Sequence, residues 1–118
     1  MLTGLNFVMI HVQDMTAARA FYTEQLGLTV ADENPAFIQF AQPGGQGATF
    51  AIGVAENATP LNEGTELWWF TDDADAEYAA LVARGVTVVE EPHDMPFGRT
   101  FAIKDTADNT ISFLTPGA

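Results

Sequence analysis

Two stretches of the chain carry the same rhythm of apolar and polar positions. Residues 7–30 read FVMIHVQDMTAARAFYTEQLGLTV and residues 66–89 read ELWWFTDDADAEYAALVARGVTVV. Each opens on an apolar strand pattern and passes an aspartate, Asp14 or Asp73, into helical spacing. Each closes at a glycine, Gly27 or Gly85, before a second β-rich run. Two copies of one supersecondary unit explain this most simply. In the first helix Ala18, Phe21, Tyr22 and Leu26 recur on one side; in the second Ala74, Tyr78, Leu81 and Val82 do. Asp14 or Thr16 can accept the free amide hydrogens at the first helix start. Asp72 and Asp73 suit the second helix's N-terminus, and Arg84 its C-terminus.

Strands are expected over 5–12, 29–32, 36–40 and 48–54, then 66–71, 87–90, 100–104 and 110–115. Pro43-Gly44-Gly45 and Asp108-Asn109 supply turns. Each half therefore reads β-α-β-β-β. Modules 1–58 and 64–118 are joined by a polar linker, 56–64, within a single domain, 1–118. Alternation across a strand assigns faces. Val8, Ile10 and Val12 form an aliphatic face suited to a covering helix. Phe7, Met9 and His11 share the other. On the fifth strand Leu67 and Trp69 oppose Glu66, Trp68 and Phe70, with Trp69 expected beneath the second helix. The mixed aromatic, methionine and polar faces look like the wall of a ligand site.

Composition narrows the function classes. The chain has 118 residues, 47% of them hydrophobic and 17% charged, as a folded domain does. It has no cysteine, so disulfides, thiolate metal sites and cysteine nucleophiles are excluded. Neither a secretory signal nor a membrane-spanning run is visible, and a cytoplasmic location is expected. Sixteen acidic residues outnumber Arg19, Arg84, Arg99 and Lys104, for a net charge of −12. That charge argues against nucleic-acid and anionic-membrane partners; it reads either as solubility or the acidic bias of a whole proteome, or, where the acids surround a cleft, as favouring a cationic ligand.

The pattern V-x-D-M-x-x-A-x-x-F-Y-x-x-x-L-G-L at Val12 to Leu28 resembles the vicinal oxygen chelate superfamily, which includes glyoxalases, bleomycin-resistance proteins and dioxygenases. So do DDADAEYAALVARGV at Asp72 to Val86, Phe97-Gly98-Arg99, and IKDTADNTISFL at Ile103 to Leu114. That last stretch is similar to the family's aspartate-proline-aspartate-glycine turn and final strand. The resemblance implies an α+β fold: two tandem βαβββ modules forming a curved, cup-shaped mixed sheet, with helices on the convex face. It also implies a homodimer.

The family's enzymes hold a divalent metal on the first, fourth, fifth and eighth strands. Carried over, those positions are Phe7, Ala51 or Ile52, Glu66 and Ser112. Only Glu66 is a metal ligand by type, so no metal and no other cofactor is expected. His11 and His93 remain. His11 reads as a polar wall residue, and His93 as a solvated histidine in the acidic loop Glu90-Glu91-Pro92-His93-Asp94. The glycine-rich Pro43 to Gly47 stretch lacks a following Lys-Ser/Thr and reads as a hairpin turn. The expected ligand contacts are Phe7, Met9, His11, Glu66, Trp68, Phe70, Arg99 and Ser112, with packing at a dimer interface the equal alternative for Trp68. The expected function is metal-free binding of a cationic aromatic compound, such as an antibiotic. The alternative is a lyase or isomerase using Glu66 and His11 as acid and base, or one with a non-standard metal site.

Overall fold

The structure, a computed structural model, describes residues 1–3, 5–45, 47–55, 62 and 65–117. The expected linker 56–64 lies outside the described residues except for Asn62. The chain forms two compact units, Met1–Glu63 and Gly64–Ala118. The fold is α+β, with a four-stranded mixed sheet in each unit. Among the described residues no helix is long and apolar enough to cross a membrane.

The first unit contains β1 (Phe7–Val12), α1 (Met15–Ala20), β2 (Val30–Asn34), β3 (Phe37–Phe40) and β4 (Thr49–Val54). Its strand order is β1-β4-β3-β2, with β1 parallel to β4 and the other pairs antiparallel. Asp14 caps α1 by accepting from the Ala17 amide at 3.0 Å. The single helix expected up to Gly27 is instead a short α-helix that widens into a π-helical turn over Phe21–Gln25. There the Leu26 amide reaches back to the Phe21 carbonyl at 2.9 Å. Both aromatic residues of that turn are buried. Tyr22 sits against Phe40 and Phe50, at ring centroid distances of 5.7 and 5.3 Å. With Ile10, Val12, Ile38 and Ile52 they form the core beneath the helix. Each such side chain stabilises the unit by roughly 1.5–3 kcal/mol through removal of apolar surface from water.

The second unit contains β5 (Leu67–Phe70), α2 (Ala74–Ala83), β6 (Thr87–Met95), β7 (Gly98–Lys104) and β8 (Thr110–Pro116), in the order β5-β8-β7-β6. Asp73 caps α2 by accepting from the Ala76 amide at 3.1 Å. Tyr78 and Leu81 of α2 cover the sheet. Tyr78 meets Phe101 edge-on, and Phe101 stacks on Phe113. The turn from β7 to β8 is organised by Asp105. Its carboxylate accepts from the amides of Ala107 and Asn109 at 2.9 and 2.8 Å, and from the Asn109 side chain at 2.8 Å. Asp108 takes a positive φ of 66° in that turn.

Candidate functional site

Strand pairing assigns every side chain on each sheet to the helix-covered face or to the open face, because directly paired residues point the same way. In the first unit His11 pairs with Gly53 and Gly53 with Phe37. Met9 pairs with Ala51, and Ala51 with Gln39. The open face is therefore built from Phe7, Met9, His11, Phe37 and Gln39, and Phe7 stacks near Phe37 at 6.2 Å. Gly53 leaves the space that Met9 and His11 occupy: a side chain there would meet the Met9 sulfur at 3.1 Å and the His11 ring at 3.6 Å. The His11 backbone is gripped at the sheet edge by Asn62. The Asn62 side chain accepts from the His11 amide at 2.8 Å and donates to its carbonyl at 2.7 Å.

In the second unit two rows of paired residues cross all four strands on the open face. One runs Phe70, Leu114, Thr100, His93; the other runs Trp68, Ser112, Ala102, Glu90. Large aromatic side chains stand at the β5 side, with Trp68 48% and Phe70 81% exposed. The floor beside them is small and buried: Thr100, Ala102 and Ser112. Phe97, 48% exposed in the turn between β6 and β7, meets the Trp68 indole edge-on at 6.1 Å. Glu66 stands exposed just before β5, and its carboxylate accepts from the Trp68 indole N–H at 3.4 Å.

Two expectations are corrected. Arg99, expected as a ligand contact, does not stand on the open face. It pairs with Thr115 on the helix-covered side, and its guanidinium donates to Asp75 of α2 and to Asp94, at 3.2–3.3 Å. Those carboxylates, Asp75 first, hold the guanidinium pKa above its ordinary value. His93 is not in a loop. It lies within β6, and its Nε2 is 3.4 Å from the Thr100 hydroxyl and 3.5 Å from the Glu90 carboxylate. Phe37 and Phe97, not among the expected ligand contacts, thus accompany His93, expected in a loop, on the open-face side. Trp69 is half-buried on the α2 side of its sheet, paired with Phe113. Glu66 and His11 are divided between the two units.

The metal positions of the resembled enzymes do not fit a divalent cation here. Phe7 and Ala51 offer no donor, and Ile52 points into the core. Ser112 and Glu66 supply one hydroxyl and one carboxylate. Among the described residues no cluster of three or more histidine, aspartate or glutamate side chains is placed to hold a metal ion. A separate groove of about 600 Å³ opens between α1 and the β2–β3 hairpin, lined by Met15, Arg19, Glu33 and Ile38. Arg19 closes one side of it through a two-pronged bond to Glu33, at 2.9 and 3.1 Å. The groove lies away from the open face.

Paired βαβββ units of this topology define a known class. The profile of the Glyoxalase/Bleomycin resistance protein/Dioxygenase superfamily matches residues 4–113. The chain belongs to that superfamily. It is similar to the crystal structure of TnmS3, an antibiotic binding protein from Streptomyces sp. CB03234. Identity is 27% and the TM-score 0.79, with 98% of each chain covered. A superfamily member from Sphaerobacter thermophilus DSM 20745 matches at 26% identity and a TM-score of 0.76, covering 97% of this chain and 98% of that one. Lactoylglutathione lyase from Agrobacterium tumefaciens shares the fold, at 19% identity and a TM-score of 0.75, over 95% of this chain and 92% of that one. The search of curated protein sequences found no match.

Proposed function

We propose that this protein binds a flat, cationic aromatic small molecule on its open sheet faces, without a metal, and acts as a homodimer that sequesters the compound. The observation that carries this reading is the pairing of exposed Trp68, Phe70 and Phe97 with a floor of small side chains in the second unit. The large exposed rings beside Ser112, Ala102 and Thr100 offer a planar guest surfaces to stack on, and an indole face attracts a cation. The net charge of −12 steers a cation inward. The likeness to an antibiotic binding protein supports the same direction. The homodimer and a cytoplasmic setting rest on the family resemblance and on the sequence.

The test is isothermal titration calorimetry of chelator-treated protein with a panel of cationic polycyclic aromatics, at low and high salt. Binding should survive chelation and weaken as salt rises. Trp68→Leu should weaken it by about 2- to 30-fold, the equivalent of roughly 0.5–2 kcal/mol for an indole–cation contact. Binding that requires added metal, or that is indifferent to Trp68→Leu, would refute the reading.

A further inference from the structure

The strand β6 carries two irregularities. Val88 pairs with Ile103 and Glu90 with Ala102; then His93 pairs with Thr100. Between Glu90 and His93 the strand holds one residue more than its partner does between Ala102 and Thr100. Such a bulge inverts the facing of everything beyond it. Pro92 sits inside the bulge, on an edge strand, where its missing N–H is tolerated. The result is that Glu90 and His93, which simple alternation would put on opposite faces, both stand on the open face. They occupy the same two rows as Trp68 and Phe70.

The hydrogen bonding of His93 gives this pair a chemical character. Nδ1 lies 2.9 Å from the Glu91 carbonyl, which can only accept, so Nδ1 carries the proton in the neutral ring. Nε2 is then an acceptor. Its protein contact, the Thr100 hydroxyl at 3.4 Å, is at the long end of the hydrogen-bond range. The Glu90 carboxylate, a second acceptor, stands 3.5 Å from the same nitrogen. Two acceptors side by side on an exposed surface are satisfied by a donor placed between them, and best by a charged one.

Resting on the ligand-binding reading above, we infer that Glu90 and His93 form the polar end of that surface and select aromatic cations that carry an N–H donor over those that carry charge alone. Phe97, in the turn that ends β6, meets the Trp68 ring edge-on at 6.1 Å, so the aromatic surface and the acceptor pair belong to the same face of one sheet. Thr100, almost fully buried, positions the imidazole from below.

Two probes of one ring system separate donor from charge: 9-aminoacridine, a cation with N–H groups, and 10-methylacridinium, a cation with none. Wild-type protein should bind the first at least about threefold more tightly. Glu90→Gln and His93→Phe should each weaken 9-aminoacridine about three- to tenfold, as the loss of one charge-assisted hydrogen bond at an exposed site does. Methylacridinium should change no more than it does in Glu77→Gln, which removes the same charge from α2, on the covered side of that sheet. Equal loss on both probes would reduce the effect to net charge and overturn the inference. So would equal wild-type affinities, a result that stands whether or not the variants fold. If other aromatic cations bind and 9-aminoacridine does not, the inference falls and ligand binding stands. If no compound of the panel binds, both fall.

Discussion

Replacing Gly98 by alanine tests how the turn that presents Phe97 is built. Gly98 has a φ of 150°, a conformation that L side chains rarely adopt, and it pairs with Pro116 at the end of the β7–β8 ladder. A Cβ there would collide with the Thr115 carbonyl oxygen. It would also lie 2.8 Å from the Leu114 side chain and 3.0 Å from the Gly117 amide. Leu114 can move, but the Thr115 carbonyl belongs to the sheet backbone. Two costs therefore combine. The backbone conformation costs about 1–3 kcal/mol in a residue with a side chain. Forcing an atom against the neighbouring strand costs about 1–3 kcal/mol more. The sum, about 2–6 kcal/mol, is a large part of the roughly 5–15 kcal/mol that holds a domain folded. Urea unfolding followed by far-UV circular dichroism should show a midpoint lowered by about 2 M, for a slope near 2 kcal/mol per molar. Gly44→Ala is the control. Gly44 also has a positive φ, 75°, but nothing lies within 4 Å of its added Cβ. It should lose only the backbone term, about 1–2 kcal/mol. If the two variants lose the same stability, the close approach of Gly98 to β8 is refuted and only conformational strain remains. If Gly98→Ala also weakens aromatic binding beyond what its stability loss explains, the turn is needed to seat Phe97 beside Trp68.

Asp105→Ala should destabilise the second unit by about 2–4 kcal/mol in the same urea assay, since it strips the acceptor from two backbone amides and from the Asn109 side chain. Asp105→Asn, which keeps one acceptor oxygen, should lose less; equal losses would mean that the carboxylate is not what orders the turn. In the first unit the hydrogen bond from Arg19 holds the Glu33 carboxyl below its ordinary value of 4.5. A carboxyl lowered on folding lends stability that is present above the unfolded value and is lost as pH falls through the lowered one. Carbon-detected NMR should find the Glu33 midpoint below 4.5 and see it rise in Arg19→Met. A wild-type midpoint at or above 4.5 would contradict the ion pair.

How far the site could be read from the sequence depends on where the period of two holds. It holds on β1 and β5. The facing of Phe7, Met9, His11, Trp68 and Phe70 was therefore readable, as were the aspartate caps, whose side chains each accept from the amide three residues on. A strand expected from Thr100 leaves Arg99, part of the Phe97-Gly98-Arg99 motif, without an assigned face. With β7 starting at Gly98, Arg99 must alternate with Thr100, and a guanidinium on that side finds Asp75 of α2 rather than a ligand. The place of His93 has a deeper cause. A proline after two glutamates reads as the end of a strand, and no alternation predicts that a chain will bulge and continue. Yet an unbulged β6 could not put Glu90 and His93 on one face, since residues three apart alternate. The irregularity that hid the pair from pattern reading is also what assembles it. The local signal was Pro92 flanked by acids on what proves to be an edge strand, where a missing N–H costs no pairing. The bulge brings a carboxylate and an imidazole onto the face that carries Trp68 and Phe70, and the paired acridine probes test whether that face distinguishes an N–H cation from a cation alone.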